Sequence, residues 1–163
     1  MTETVLLAKE ARDRADALED ASDIDGAIEA MSQAVELDPQ NPRYRALRGR
    51  LFALQQKWRA AIQDYDAALA VKPNAQSTIY MRGRARSMLD DLDGAVEDFE
   101  RCIALQPTAA DAFAELGSIR YYRGELRQAL EAYHKAVELE PGRRSGLAGR
   151  HISEIEQKLQ EGR

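Results

Sequence analysis

The chain has 163 residues, of which 44% are hydrophobic and 31% are charged, and its formal net charge is −5. This composition predicts one water-soluble domain, and no apolar run approaches the roughly 20 residues that a membrane-spanning helix needs. The single cysteine, Cys102, excludes an internal disulfide and any multi-cysteine metal site. The first residues carry neither a basic nor an apolar leader segment, which predicts a cytoplasmic protein without membrane insertion.

Charge is distributed unevenly over the first half of the chain. Residues 8–41 hold three basic and ten acidic side chains, a net of −7, whereas residues 42–75 hold seven basic and two acidic ones, a net of +5. Such a polarised surface favours steering of a charged partner or head-to-tail self-association. Solvated helix faces of drifting composition would give the same counts, so the charge pattern alone leaves both interpretations open.

An internal repeat with a constant period organises the sequence. At this period, a phrase of small, aliphatic, variable, aliphatic and variable residues ends in a proline, at Pro39, Pro73, Pro107 and Pro141. Upstream of each proline lies a bulky residue, at Met31, Tyr65, Phe99 and Tyr133. At a fixed distance before each bulky residue lies a small one, at Ala15, Gly49, Gly83 and Gly117. These recurrences divide the chain into four copies of one unit, residues 8–41, 42–75, 76–109 and 110–143.

The pattern within one copy predicts a pair of antiparallel helices. Small residues at fixed positions let two helices approach closely, and the bulky residue fills the space between them. Turn signals such as Ser22-Asp23 and Arg123-Gly124 separate the two helices, and the proline stops the second one. Because one pair cannot cover its own apolar face, the copies must stack to build a continuous core.

The fourth copy has the most complete set of repeat residues: Phe113, Leu116, Gly117, Tyr121, Gly124, Ala129, Tyr133, Ala136 and Pro141. With these residues the chain resembles the tetratricopeptide-repeat (TPR) family. The first copy diverges most, with Ala15 in place of glycine and Met31 in place of the aromatic residue. The resemblance implies an all-α, right-handed solenoid of four helix-turn-helix repeats that forms a single domain.

Copies two and three depart from the family pattern in the same way. The leucine before the glycine is replaced by Arg48 in copy two and Arg82 in copy three, and an aspartate, Asp64 or Asp98, precedes the bulky residue. In copy four, these two positions change together to leucine and alanine. We therefore expect the ion pairs Arg48–Asp64 and Arg82–Asp98, each bridging the two helices of one copy and holding their geometry.

Residues 145–160 predict a C-terminal capping helix, with Ser145 as a suitable N-cap. Its apolar positions form one stripe: Ala148, Ile152, Ile155 and Leu159. A one-residue slip in the repeat count after Gly142 turns this stripe toward the last repeat, whose exposed end needs a cover. At the other end of the chain, Val5–Leu7 either extend the first helix or form an apolar edge for self-association.

The resemblance implies that the first helices of the copies line a concave groove that binds an extended peptide or a partner's helix. Arg50 and Arg84 occupy the same position in adjacent copies, so we expect them side by side in this groove. The residues expected around them are Arg43, Leu47, Leu54, Tyr80, Met81, Met88 and Tyr121. Because arginine forks bind carboxylates with two hydrogen bonds, this arrangement indicates a partner with an acidic group beside apolar anchors. The alternative is that both arginines pair with neighbouring acids.

No catalytic, cofactor or metal site is predicted. His134 and His151 have no second ligand at metal-binding spacing, and Cys102 fills a small packing position. A glycine-rich phosphate loop is also missing, since Arg82-Gly83-Arg84 falls inside a predicted helix. The sequence therefore argues against an enzyme.

Three further functions are alternatives to peptide binding. The second copy is rich in arginine and has aromatic residues nearby that could stack on bases (Tyr44, Trp58 and Tyr80), but the acidic first copy would repel nucleic acid. Self-association of the acidic first copy, or of Val5–Leu7, with the basic second copy is the leading alternative, and a secretion-type TPR chaperone is another. The main prediction is a non-enzymatic interaction scaffold without cofactor that binds a protein or peptide partner.

Overall fold

The computed structural model describes residues 3–161, apart from the side chains of residues 144 and 145, and every regular element in this range is helical. The α-helices of this range are α1 (Glu3–Asp20), α2 (Ile24–Leu37), α3 (Pro42–Leu54), α4 (Trp58–Val71), α5 (Gln76–Ser87), α6 (Leu92–Leu105), α7 (Ala110–Tyr122), α8 (Leu126–Leu139) and α9 (Leu147–Glu161). A 3-10 helix, Pro141–Ser145, precedes α9. The all-α class predicted from the sequence is confirmed.

Contacts divide the helices into two compact units, with the boundary between Asp91 and Leu92. The N-terminal unit contains α1 to α5 and the C-terminal unit contains α6 to α9, so the two helices of the third repeat fall in different units. Within each unit, helices that follow one another in the chain pack together. The single domain expected from the sequence stays a prediction.

Local chemistry at the helix ends explains why the chain turns where it does. The Asp23 carboxylate accepts a hydrogen bond of 3.0 Å from the Gly26 backbone N–H and so caps α2. Asn41 caps α3 in the same way through the Arg43 N–H, and Pro42 follows as the first helical residue, where no hydrogen bond is lost. In the turn between α7 and α8, Gly124 has a φ of 76°, which costs glycine little.

A close contact between a glycine and a tyrosine ring sets the spacing of the helices in repeats two and four. A Cβ atom on Gly49 of α3 would lie 2.7 Å from the Tyr65 ring of α4, and one on Gly117 of α7 would lie 2.7 Å from the Tyr133 ring of α8. Both tyrosines are only 1% exposed. In repeat one, alanine and Met31 take these two places, so a larger first residue accompanies a more flexible second one.

The ion pair predicted between the helices of repeat two is confirmed. Arg48 donates to both carboxylate oxygens of Asp64 at 2.7 Å, and it also donates to the Ser32 hydroxyl of α2. The Asp64 side chain is 6% exposed, and the two hydrogen bonds together with the opposite charge raise the pKa of Arg48. Arg82 donates to Asp66 of α4 at 2.6 Å, and its pairing with Asp98 stays a prediction.

The last helix packs on α8 with the apolar stripe expected from the sequence. Ala148, Ile152 and Ile155 are at most 8% exposed and lie in one cluster with Ala129 and Tyr133 of α8. The helix begins at Leu147, because the 3-10 helix takes up the residues before it. The predicted N-cap, Ser145, lies in that 3-10 helix, and its side chain is outside the described part of the structure.

Replacing Gly49 with alanine tests the close contact. Overpacking against the Tyr65 ring should outweigh the better helix propensity of alanine and lower the free energy of unfolding by about 1–2 kcal/mol. Tyr65→Met, which together with Gly49→Ala recreates the pair of repeat one, should cost less stability in the Gly49→Ala variant than in the wild type. Urea unfolding measures the free energy of unfolding of the wild type, the two single variants and the double variant. Gly142→Ala, where no atom lies within 4 Å of the new Cβ, is the control. Additive effects would contradict the contact.

The Arg48–Asp64 pair gives a second stability prediction. Asp64→Ala leaves a half-buried guanidinium without its carboxylate and should cost about 2 kcal/mol. The double variant Arg48→Leu/Asp64→Ala, which copies the residues of repeat four, should cost less than Asp64→Ala alone. Asp66→Ala removes an exposed carboxylate and should cost less than about 1 kcal/mol. Urea unfolding decides the order, and a double variant less stable than Asp64→Ala would contradict it.

Candidate binding cleft

A cleft of about 370 Å³ opens in the N-terminal unit between α3 and α5, with α4 at its base. We call it the basic cleft, because its charged lining residues are Arg43, Arg50 and Lys72. The rest of its lining is small or apolar, with polar groups at its α5 end: Pro42, Ala46, Leu47, Ala68, Ala75, Ser77, Thr78 and Met81. The cleft therefore offers positive charge beside an apolar floor.

The basic cleft brings together four of the groove residues expected from the sequence, namely Arg43, Leu47, Arg50 and Met81. Leu54 and Met88 lie at the ends of their helices and are 55% and 60% exposed, outside the lining. Tyr80 is half-buried and Arg84 is exposed on α5, and neither lines the cleft. The ninth predicted residue, Tyr121, belongs to the C-terminal unit.

Arg50 is engaged by an acid from the first repeat. Its two terminal nitrogens donate to the two carboxylate oxygens of Glu19 on α1, each at 2.5 Å. These hydrogen bonds raise the pKa of Arg50, and both side chains stay partly exposed, at 34% for Arg50 and 23% for Glu19. The alternative of an internal pair, which the sequence left open, is therefore what the structure has at Arg50.

Tyr65 lies beneath this charged group. Burial raises the pKa of its hydroxyl to about 12, although the positive charges of Arg50 and Arg84 act in the opposite direction. The hydroxyl therefore stays protonated at neutral pH and is a hydrogen-bond donor near two guanidinium groups. The sequence pattern predicted only a packing role for the Tyr65 ring. The place of Tyr65 in the repeat could also have indicated that its hydroxyl lies near Arg50, since Tyr65 follows Arg50 at the same spacing at which Tyr133 follows Ser118.

The corresponding tyrosine of repeat four has its hydroxyl hydrogen-bonded within the C-terminal unit. The Tyr133 hydroxyl lies 3.1 Å from the Ser118 Oγ, to which it donates, and 2.6 Å from Nδ1 of His151 on α9. The ring of Tyr121 stacks on His151 with centroids 4.4 Å apart, and its hydroxyl donates to Glu154. Tyr121 thus helps to hold α9 in place, and the peptide contact expected of it stays a prediction.

Comparison with known proteins agrees with these helix pairs. Three family models described as Tetratricopeptide repeat match residues 12–77, 49–114 and 110–143. The chain belongs to the tetratricopeptide-repeat family. A search of curated protein sequences found no match.

Solved structures similar to this TPR chain include MamA, a TPR domain bound to a peptide and a TPR protein described by its peptide-binding site. The match to a MamA crystal structure has 27% sequence identity and a TM-score of 0.82, and it covers 98% of this chain and 90% of the MamA chain. The first TPR of Spaghetti (RPAP3), bound to the HSP90 peptide SRMEEVD, is 25% identical, covers 74% of this chain and 98% of its own, and has a TM-score of 0.69. YrrB, described as a TPR protein with an unusual peptide-binding site, is 19% identical with a TM-score of 0.77, covers 92% of this chain and 76% of its own, and shares the fold.

A second cleft, of about 950 Å³, lies among α6, α7 and α8 of the C-terminal unit. Its apolar floor includes Phe113, Leu116 and Ala132. Leu116 and Ala132 are the repeat-four counterparts of Arg48 and Asp64, so the ion pair that fills this position in repeat two is replaced here by apolar side chains. Glu100 and Arg120, which also line the cleft, lie 3.4 Å apart, and Lys135 and Glu138 form a second pair 2.9 Å apart.

The described residues hold no group of three His, Cys, Asp or Glu side chains that could bind a metal ion. His134 is exposed and lies 3.6 Å from Glu156. Cys102 is 1% exposed in α6, where burial, helped by the nearby Asp98, raises the thiol pKa to about 11. In the part of the chain that the structure describes, no helix has the length and apolarity to span a membrane.

The aromatic residues considered for base stacking are partly enclosed by the TPR core. Tyr44 is 8% exposed and belongs to the core cluster of the first two repeats, and Trp58 is half-buried against the cluster around Tyr65. Tyr80, the third of these residues, is half-buried on α5.

Cys102 should be unreactive in the folded protein. With a thiol pKa of about 11 in place of the ordinary 9.0, the thiolate fraction at pH 8 falls about a hundredfold, and burial blocks access as well. Between pH 8 and 10, the alkylation rate by iodoacetamide should still rise about tenfold per pH unit, since both values lie below the pKa. The urea-unfolded protein is the control, and a folded rate within tenfold of the unfolded rate at pH 8 would contradict this prediction.

Proposed function

We propose that this TPR protein is a non-enzymatic interaction scaffold that binds an acidic, partly apolar segment of a partner in the basic cleft. The observation that carries the proposal is the cleft itself, which sets Arg43, Arg50 and Lys72 around an apolar floor that includes Leu47 and Met81. Membership of the TPR family supports an interaction scaffold in general. The acidic chemistry of the partner rests on the cleft alone.

The charge of the cleft complements an acidic ligand. Arginine and lysine form charge-assisted hydrogen bonds with carboxylates, and such bonds are stronger inside a partly desolvated cleft than in water. The apolar floor adds affinity by burying hydrocarbon side chains of the ligand. A neutral or basic peptide would desolvate Arg43 and Lys72 without supplying a carboxylate, so the cleft selects against it.

One similar structure supports the same ligand chemistry. The peptide bound to the RPAP3 domain, Ser-Arg-Met-Glu-Glu-Val-Asp, combines three acidic residues with methionine and valine. That peptide belongs to that protein. Some TPR domains clamp the C-terminal carboxylates of chaperone tails with Lys and Asn residues of these helices, and the matching positions of this chain carry mostly other residues, such as Asp16 and Leu47. We therefore propose acidic and apolar anchors here without proposing the same peptide.

Self-association is the second candidate, and one observation favours it. Val5, Leu6 and Leu7 at the start of α1 are 38%, 44% and 45% exposed, which leaves an apolar edge beside the acidic first repeat. Such an edge could bind the basic second repeat of another copy.

A peptide array tests the proposed function. Its peptides combine Glu or Asp with Leu, Met and Phe, and each has a matched copy with Gln or Asn. The protein should bind the acidic copies preferentially, and Arg43→Gln/Arg50→Gln, which removes two cations of the cleft lining, should weaken binding by about tenfold. Lys57→Gln/Arg59→Gln, which removes two exposed cations of the same repeat outside the cleft lining, should change it by less than about threefold.

Equal binding of acidic and neutral copies, or equal effects of the two double variants, would contradict the proposal. Light scattering at low and high salt on the same samples identifies the second candidate. A dimer that dissociates as salt rises would favour charge-driven self-association, because salt screens exposed charges.

A further inference from the structure

Within the described part of the chain, the hydroxyl of Tyr65 differs from its counterpart in repeat four by lacking a group that binds it. Tyr65 follows Arg50 at the same spacing at which Tyr133 follows Ser118, and in both repeats a glycine before that residue touches the tyrosine ring. The shared register places the Tyr65 hydroxyl next to position 50. In repeat four, Ser118 and His151 bind the Tyr133 hydroxyl, but in repeat two the residue at the corresponding position is Arg50, a donor that cannot accept its proton.

The group at this place therefore has donors but too few acceptors. Arg50 donates to Glu19, the Tyr65 hydroxyl is a donor for which no hydrogen bond is seen among the described residues, and the charge of Arg84 also acts on that hydroxyl. The carboxylate of Glu19 serves Arg50 alone, through both of its oxygens. An added carboxylate would satisfy a charged and a neutral donor at once, which is the combination that charge-assisted binding favours.

The two hydrogen bonds from Arg50 hold the Glu19 carboxylate at an electrostatically unfavourable position. It lies in the last turn of α1, where the negative end of the helix dipole disfavours an acid, and no basic residue lies in that described turn. It is also flanked by Asp20, and Asp16 lies one turn earlier. Since the pair with Arg50 is partly exposed, an incoming carboxylate can reach it and replace its two hydrogen bonds with equivalent ones.

We propose that an acidic side chain of the partner replaces the Glu19 carboxylate on Arg50 and accepts a hydrogen bond from the Tyr65 hydroxyl. Glu19 is then a built-in competitor that sets the affinity of the basic cleft, and Tyr65 is a specificity residue for a carboxylate. This inference rests on the proposed function. The exchange forms no covalent bond and moves no proton, because one carboxylate replaces another.

Competition binding tests the two roles separately. The probes are the acidic array peptide with the strongest signal and its Gln-matched copy, each labelled with fluorescein and followed by anisotropy. Glu19→Gln should tighten binding of the acidic probe by about three- to fivefold, since it releases a partly exposed pair. Glu29→Gln, which removes an exposed acid of the same repeat on α2, controls for net charge and should change affinity by less than about twofold.

Tyr65→Phe removes the donor and keeps the ring that packs on Gly49. It should weaken the acidic probe by about tenfold and leave the neutral copy unchanged, so the ratio of the two affinities falls. A purely structural role of the hydroxyl would weaken both probes equally. Thermal melts establish that each variant is folded, and Glu19→Ala replaces Glu19→Gln if the latter is not.

The outcomes separate this inference from the proposed function. If Arg43→Gln/Arg50→Gln abolishes the acidic preference while Glu19→Gln and Tyr65→Phe behave as wild type, the proposed function stands and the exchange is wrong. If the wild type and all variants bind the acidic and the neutral probe with equal affinity, both the proposed function and the exchange are wrong. Tighter binding by Glu19→Gln together with a lower affinity ratio for Tyr65→Phe supports the exchange.

Discussion

The contact between a glycine on one helix and a tyrosine ring on the next determines the geometry on which the rest of the structure depends. At Gly49 and Gly117 the ring occupies the space where a Cβ atom would lie, so the two helices of a repeat approach at a distance that only glycine permits. The same contact fixes the direction of the tyrosine side chain. In repeat four, the hydroxyl of this side chain donates to Ser118, the residue after the glycine.

Charge is arranged around this apolar scaffold at two depths. The Arg48–Asp64 pair lies largely buried between helices of one repeat, where the fork geometry satisfies both groups. The Arg50–Glu19 pair joins two repeats, is more exposed and uses hydrogen bonds that another carboxylate can supply equally well. Neighbouring residues on α3 thus have different tasks: Arg48 holds the repeat together, and Arg50 faces the cleft.

Most of the fold could be predicted from the sequence because the determinants are local or recur at fixed spacing. The glycine, the bulky residue and the proline recur with one constant period, and the Arg48–Asp64 pair was visible because both positions change together in repeat four. The Arg50–Glu19 pair was not predicted, since it joins side chains far apart in the sequence through the stacking of two repeats. The start of α9 also differed by two positions, because a 3-10 helix takes up the preceding turn, which periodicity does not detect.

The residue at the position of Tyr65 in each repeat bears on how many acidic side chains one chain could bind. Repeats one and three carry Met31 and Phe99 there, which have no hydroxyl, and the Tyr133 hydroxyl of repeat four is already bound by Ser118 and His151. At this position of the four repeats, all of which the structure describes, only Tyr65 leaves a phenol for an outside group. Although the architecture repeats four times, the carboxylate exchange proposed at Arg50 and Tyr65 would have one site in these repeats, and one chain would bind one such side chain.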